Sequence, residues 1–120
     1  MADRVLFIGW GQPVRGLEER GLEVFNEALG LLGRMQQDGR IESFDTVLLE
    51  PNGALNGCIV VRGSTEQIDG LRADDEFRSN SIDAALVVDE LRHIEGYTNE
   101  GIARQIVTYQ EAAAKVPQRT

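Results

Sequence analysis

Cysteine, histidine and tryptophan each occur once in this chain of 120 residues. A lone Cys58 excludes an internal disulfide. Its surroundings, GCIVV, read as a buried strand in which the thiol serves as a small hydrophobe. No basic residue lies closer in sequence than Arg62 to make it a thiolate. One His and one Cys, far apart, do not make up the three or four ligands of a zinc site. No apolar run approaches the roughly 18 residues of a membrane span. The start, MADRVLFIGWG, lacks a basic region followed by an apolar core and a small-residue cleavage site. The expectation is a cytoplasmic protein that neither crosses nor binds a membrane.

Positive charge is also scarce. Twelve basic residues stand against 20 acidic ones, a net charge of −8. Such a surface repels a phosphate backbone, so nucleic acid is not an expected partner. Common catalytic signatures are missing too. GWGQPVRG opens as G-x-G after a strand, but Val14 stands where a dinucleotide fingerprint needs its third glycine. There is no Walker loop, no C-x-x-C and no G-x-S-x-G elbow.

What is present is an ordinary globular composition, 42% hydrophobic and 27% charged, of one-domain length. Arg4 to Trp10, RVLFIGW, reads as a first strand ended by the turn cluster GQPVRG. Val14 to Asp38 changes period: Leu17, Val24, Ala28, Leu31, Leu32 and Met35 mark a helix face, and Gly39 its stop. Gly21, Gly30 and Gly33 inside this helix each cost about 1 kcal/mol relative to Ala. Close packing on a neighbouring backbone is the expected reason. Ile41 to Glu50 and Cys58 to Arg62 read as a hairpin joined through Pro51-Asn52-Gly53. Ser64 and Gln67 have the form of a capping box, opening a helix carrying Ile68, Leu71 and Phe77. The segment DDEFRSNSIDA closes that helix, and AALVVDELRHI, Ala84 to Ile94, is expected as the fourth strand. A last helix, about 99–115, carries Ile102, Ile106, Tyr109 and Ala113 on one stripe, with Pro117 beyond its end.

The order is β-α-β-β-α-β plus one helix. This predicts a single α+β domain over 1–120, ferredoxin-like, with a four-stranded antiparallel sheet. Its strands do not alternate apolar with polar. Leu6 and Ile8 oppose Val5 and Phe7; Ile59 and Val61 oppose Cys58 and Val60; Leu86 and Val88 are expected to oppose Val87 and Leu91. Both sheet faces are therefore apolar, and two crossover helices cover only one. The C-terminal helix of the same chain or a second copy must cover the other. The narrow stripe of that helix favours the second copy, a homodimer, with the helix extending the interface.

The stretch DDEFRSNSIDAALVVDELRHIEGY, together with this element order and these two-faced strands, resembles the dimeric α+β barrel superfamily. It is similar to its YCII-like and antibiotic-biosynthesis-monooxygenase-like small domains. The resemblance runs from Arg4 to Ala114 and implies a dimeric α+β barrel. That superfamily holds cofactor-free oxygenases, lactone isomerases, haem enzymes and members without known activity, so the fold does not choose among them.

Five residues are candidates for a site. His93 can act as a general base, oriented by Asp89 and Glu95 on its strand, or sit at a strand end bonded to backbone or water. A haem needs a single axial ligand, which leaves His93 a lesser role as one; no cofactor is expected. Trp10, between Gly9 and Gly11, can wall a pocket or serve as a core aromatic. Arg62 and Arg92 can hold an anion at a pocket mouth or form surface ion pairs. Tyr97 can donate to a substrate oxygen, whereas Tyr109 belongs to the helix stripe. Asp45 and Glu50 on the second strand would be bases only if they pointed inward. Three readings follow: a homodimer binding a small organic molecule, a cofactor-independent monooxygenase- or isomerase-like enzyme using His93 as proton acceptor, and a structural dimer without a pocket.

Overall fold

The computed structural model describes residues 2–117 and 119. Its elements are β1 (Arg4–Trp10), α1 (Glu18–Gln37), β2 (Ser43–Leu48), β3 (Gly57–Gly63), α2 (Thr65–Ala73), α3 (Asp75–Val87), β4 (Arg92–Tyr97) and α4 (Glu100–Ala113). The strands form one antiparallel sheet in the order β2-β3-β1-β4. This is the split βαβ arrangement, ferredoxin-like, with α4 added at the end.

Register sorts the side chains. Thr46, Ile59, Ile8 and His93 lie across one row, and Phe44, Val61, Leu6 and Glu95 across the next, on the face that α1, α2 and α3 cover. The core is built there: Leu6, Ile8, Ile59 and Val61 from the sheet meet Leu31, Leu32 and Met35 from α1, Ile68 and Leu71 from α2, and Phe77 from α3. The opposite face carries Val5, Phe7, Cys58, Val60, Val47 and Ile94. Val47 and Ile94 are exposed and the rest half-buried. No described helix lies over its centre.

The expected fourth strand is corrected. Ala84–Val87 continue a helix, and the strand begins only at Arg92. Apolar, β-branched composition in AALVV read as strand, but an N-cap upstream decides otherwise. Asp74 accepts a hydrogen bond from the Phe77 amide and starts α3 separately from α2. Phe77, Ser81 and Ala84 then fall at helical spacing toward the sheet. Leu86 points to solvent and Val87 inward, both from α3. Glu90, at φ 53°, makes the bend into β4. The capping box at Ser64 and Gln67 forms as expected, with both hydrogen bonds in place, and α1 stops at Gly39, φ +75°.

The close-packing account of the α1 glycines is overturned. A Cβ at Gly21 or Gly33 would meet nothing within 4 Å, and one at Gly30 only the Arg34 side chain at 3.7 Å. Close backbone approach occurs elsewhere. A Cβ at Gly11 would stand 3.0 Å from the Asp89 carbonyl, and one at Gly57 would stand 2.7 Å from the Trp10 ring. Gly33→Ala is therefore expected to stabilise the protein by about 1 kcal/mol. Urea denaturation would show a raised midpoint with unchanged slope.

α4 does not cover the sheet of its own chain. Ile102, Ile106, Val107 and Tyr109 are exposed, Tyr109 by 73%. The helix is held at its root. Arg104 pairs with Asp3, and Asn99 donates to the Ala2 carbonyl at 2.6 Å. From there it projects, and the radius of gyration is 16.8 Å, against about 14 Å for a compact chain of this length.

Candidate functional site

The helix side of the sheet is not filled to its edge. Between β1, β3, α1 and α3 lies a cavity of about 320 Å³. Its walls are apolar: Ile8 and Trp10 from β1, Val24, Phe25 and Leu32 from α1, and Phe77 from α3. One end is closed by stitched loops. Gly11 donates to the Asp89 carbonyl, Asp89 to that of Gln12 and Val14 to that of Val87, each at 2.8 Å. This sets Pro13 and Val88 against the pocket. Trp10 and Phe25 pack with ring centroids 5.7 Å apart. The indole crowds Gly57, where any side chain would run into its ring, which explains the small residue opposite it.

Four polar residues reach the cavity: Glu18, Asn80, Ser81 and His93. The first three are committed. Glu18 accepts from the Gly16 amide, Asn80 donates to the Val24 carbonyl, and Ser81 donates to the Phe77 carbonyl. His93 makes no side-chain hydrogen bond to another described residue; its ring lies 5.5 Å from that of Phe77 at an angle of 31°. Burial, and secondarily the Arg72 guanidinium, hold its pKa below the ordinary 6.5. It is a neutral imidazole at pH 7, with one nitrogen able to accept a hydrogen bond.

The linkage has a definite sign. The depressed folded-state pKa means that the unfolded chain takes up the His93 proton first as pH falls. Its contribution to stability is complete above 6.5 and is lost between 6.5 and the lower folded-state value. Urea midpoints measured from pH 7 downward should fall more steeply for the wild type than for His93→Gln. Because the chain has one histidine, its imidazole ¹H resonance titrates alone, with a midpoint below 6.5.

The five sequence candidates separate. Trp10 and His93 both line the cavity. Arg62 and Arg92 project from the opposite face, as their register parity requires. There Arg62 pairs with Asp45 and Arg92 with Glu90. Tyr97 shares the face of His93 but lies four residues along β4, about 13 Å away; the Arg4 guanidinium stacks 4.6 Å above its ring. The expected orienting acids do not serve His93. Glu95 is bound by Arg4 and Arg72 together, and Asp89 lies in the loop before β4. Asp45 faces away from the helices, and Glu50 is exposed beyond the end of β2. Cys58 sits half-buried on that uncovered face. Among the described residues no three His, Cys, Asp or Glu side chains converge on a metal position. The sequence reading missed the α1 and α3 wall. The signal was there in the i, i+4, i+7 spacing of Gly21, Phe25 and Ala28 and in that of Phe77, Ser81 and Ala84.

The architecture is that of known structures. The chain superposes on a dimeric protein of unknown function with a ferredoxin-like fold from Bacteroides fragilis, with a TM-score of 0.59 at 12% identity over 79% of this chain and 96% of that one. It matches a protein from Chloroflexus aurantiacus described as a putative antibiotic biosynthesis monooxygenase, with a TM-score of 0.55, 12% identity and coverage of 82% and 95%. It matches SnoaB, a cofactor-independent oxygenase from Streptomyces nogalater, with a TM-score of 0.54, 15% identity and coverage of 82% and 96%. No family model matches the chain, and no curated protein matches it by sequence. The fold is ferredoxin-like, with an added C-terminal helix. At these identities the likeness concerns the fold alone.

Proposed function

We propose that this chain forms a homodimer and binds a largely apolar, uncharged small organic molecule between its sheet and helices α1 and α3. The observation that carries the binding reading is the cavity itself. It reaches the roughly 300 Å³ of a small-molecule site, its walls are apolar and aromatic, and His93 lines it without a side-chain hydrogen bond to another described residue. The dimer is supported by the uncovered apolar sheet face, by the projecting α4, and by the dimeric state of the Bacteroides fragilis protein of like fold. The single unpaired thiol suits a reducing compartment such as the cytoplasm.

Trp10 is the built-in reporter, being the one tryptophan and a wall of the cavity. Titration with the neutral probe N-phenyl-1-naphthylamine should change its emission saturably. Filling the cavity with Ala28→Phe should abolish the change. An unresponsive wild type would reject the reading.

A second reading is favoured by the neutral state of His93. A neutral imidazole in an apolar pocket can use its unprotonated ring nitrogen to take a proton from an acidic C–H or O–H of a ligand. SnoaB, of the same fold, is a cofactor-independent oxygenase. The anion so formed would lie in the field of Arg72, the cation that already acts on His93. Arg62 and Arg92, on the far face, have no part in this version.

A further inference from the structure

Three observations meet at Gly21. First, it lies inside α1, where glycine costs about 1 kcal/mol relative to alanine. Second, the usual structural reasons for a helical glycine are absent. Its φ is not positive, and a Cβ there would meet nothing within 4 Å. Third, Gly21 borders the cavity, on the same stripe as Phe25, Ala28 and Leu32. Gly33 shares the first two properties but does not border the cavity. Gly21 stands in the first turn of α1 and Gly33 well inside the helix; what sets Gly21 apart for a ligand is that the space left by its missing side chain is pocket space.

We propose that Gly21 is the size-determining residue of the pocket, keeping the α1 wall open for ligands of more than one ring. The inference rests on the binding reading above. The neighbouring wall is fixed: Phe25 is packed on Trp10, and Leu32 is fully buried in the core. A side chain added at 21 enters the open space and not the packed protein. The ligand class it selects is an uncharged apolar body of naphthyl size or larger, carrying a hydrogen-bond donor for His93.

The test compares a large and a small neutral probe, N-phenyl-1-naphthylamine followed by Trp10 emission and 4-fluorophenol followed by ¹⁹F NMR. Gly21→Leu should weaken the large probe at least tenfold and the small one less than threefold. Gly21→Ala should raise the urea midpoint and yet weaken the large probe about threefold. These changes have opposite signs, which a purely structural role would not produce. Gly33→Ala should raise the midpoint and leave both affinities unchanged. Equal binding of the large probe by wild type, Gly21→Ala and Gly21→Leu overturns the assignment of Gly21 while leaving the pocket standing. A wild type that binds neither probe overturns the pocket reading and this one with it. If Gly21→Leu fails to fold, Gly21→Ala alone decides.

Discussion

Val60→Arg is expected to convert the proposed dimer, of twice 13.3 kDa, into a folded monomer. Val60 lies near the middle of the uncovered face, in one row with Asp45, Phe7 and Ile94. A two-fold axis through such a face brings like residues of the two copies near one another. Two guanidinium groups would then have to be desolvated together against Phe7 and Ile94. Central residues of an interface commonly contribute 2 kcal/mol or more, and an unpaired buried charge costs further. The dimer should weaken at least about 100-fold. Within the monomer the new arginine lies beside Asp45, so folding is not expected to suffer. Sedimentation equilibrium reads the mass. Trp10 emission, from the opposite face, checks that the monomer is native. An unchanged dimer mass would show that this face is not the interface.

His93→Ala separates a binder from an enzyme. If His93 takes the ligand's proton, turnover should fall at least about 100-fold, while affinity for N-phenyl-1-naphthylamine changes only a few-fold. The pH profile adds a second check. Burial lowers the His93 pKa, so the base is ready over a wider range than a free imidazole. Wild-type activity should rise with pH and level off with a midpoint below 6.5 in the free enzyme. A binder without chemistry shows no turnover to lose, and its affinity follows His93 protonation only through the one hydrogen bond.

Local signals located most elements. The Ser64–Gln67 box, Gly39 after α1 and the turn at Pro51–Gly53 are short-range devices, and each acts where its residues stand. The α3 region was misread for a physical reason. AALVV has strand composition, and only the N-cap at Asp74 and the inward spacing from Phe77 reveal a helix. Side-chain grouping failed at longer range. Arg92 and His93 are adjacent in sequence, yet a strand sends them to opposite faces. Trp10 and His93 are far apart in sequence and share a cavity because β1 and β4 pair directly.

By itself, the sequence determined the βαββαβ order with its C-terminal helix (though not the split of α2 from α3), the two-faced apolar sheet and the exclusion of disulfide, dinucleotide-fingerprint and Walker-type chemistry, because composition, periodicity and spacing are local quantities. Only the tertiary structure decided that Trp10 and His93 meet, that Arg62 and Arg92 do not join them, and that α4 leaves its own sheet uncovered. Those facts depend on strand register and on how α1 and α3 settle over the sheet. Register is fixed by the sum of many weak pairings across the whole domain, and no short stretch of sequence carries it.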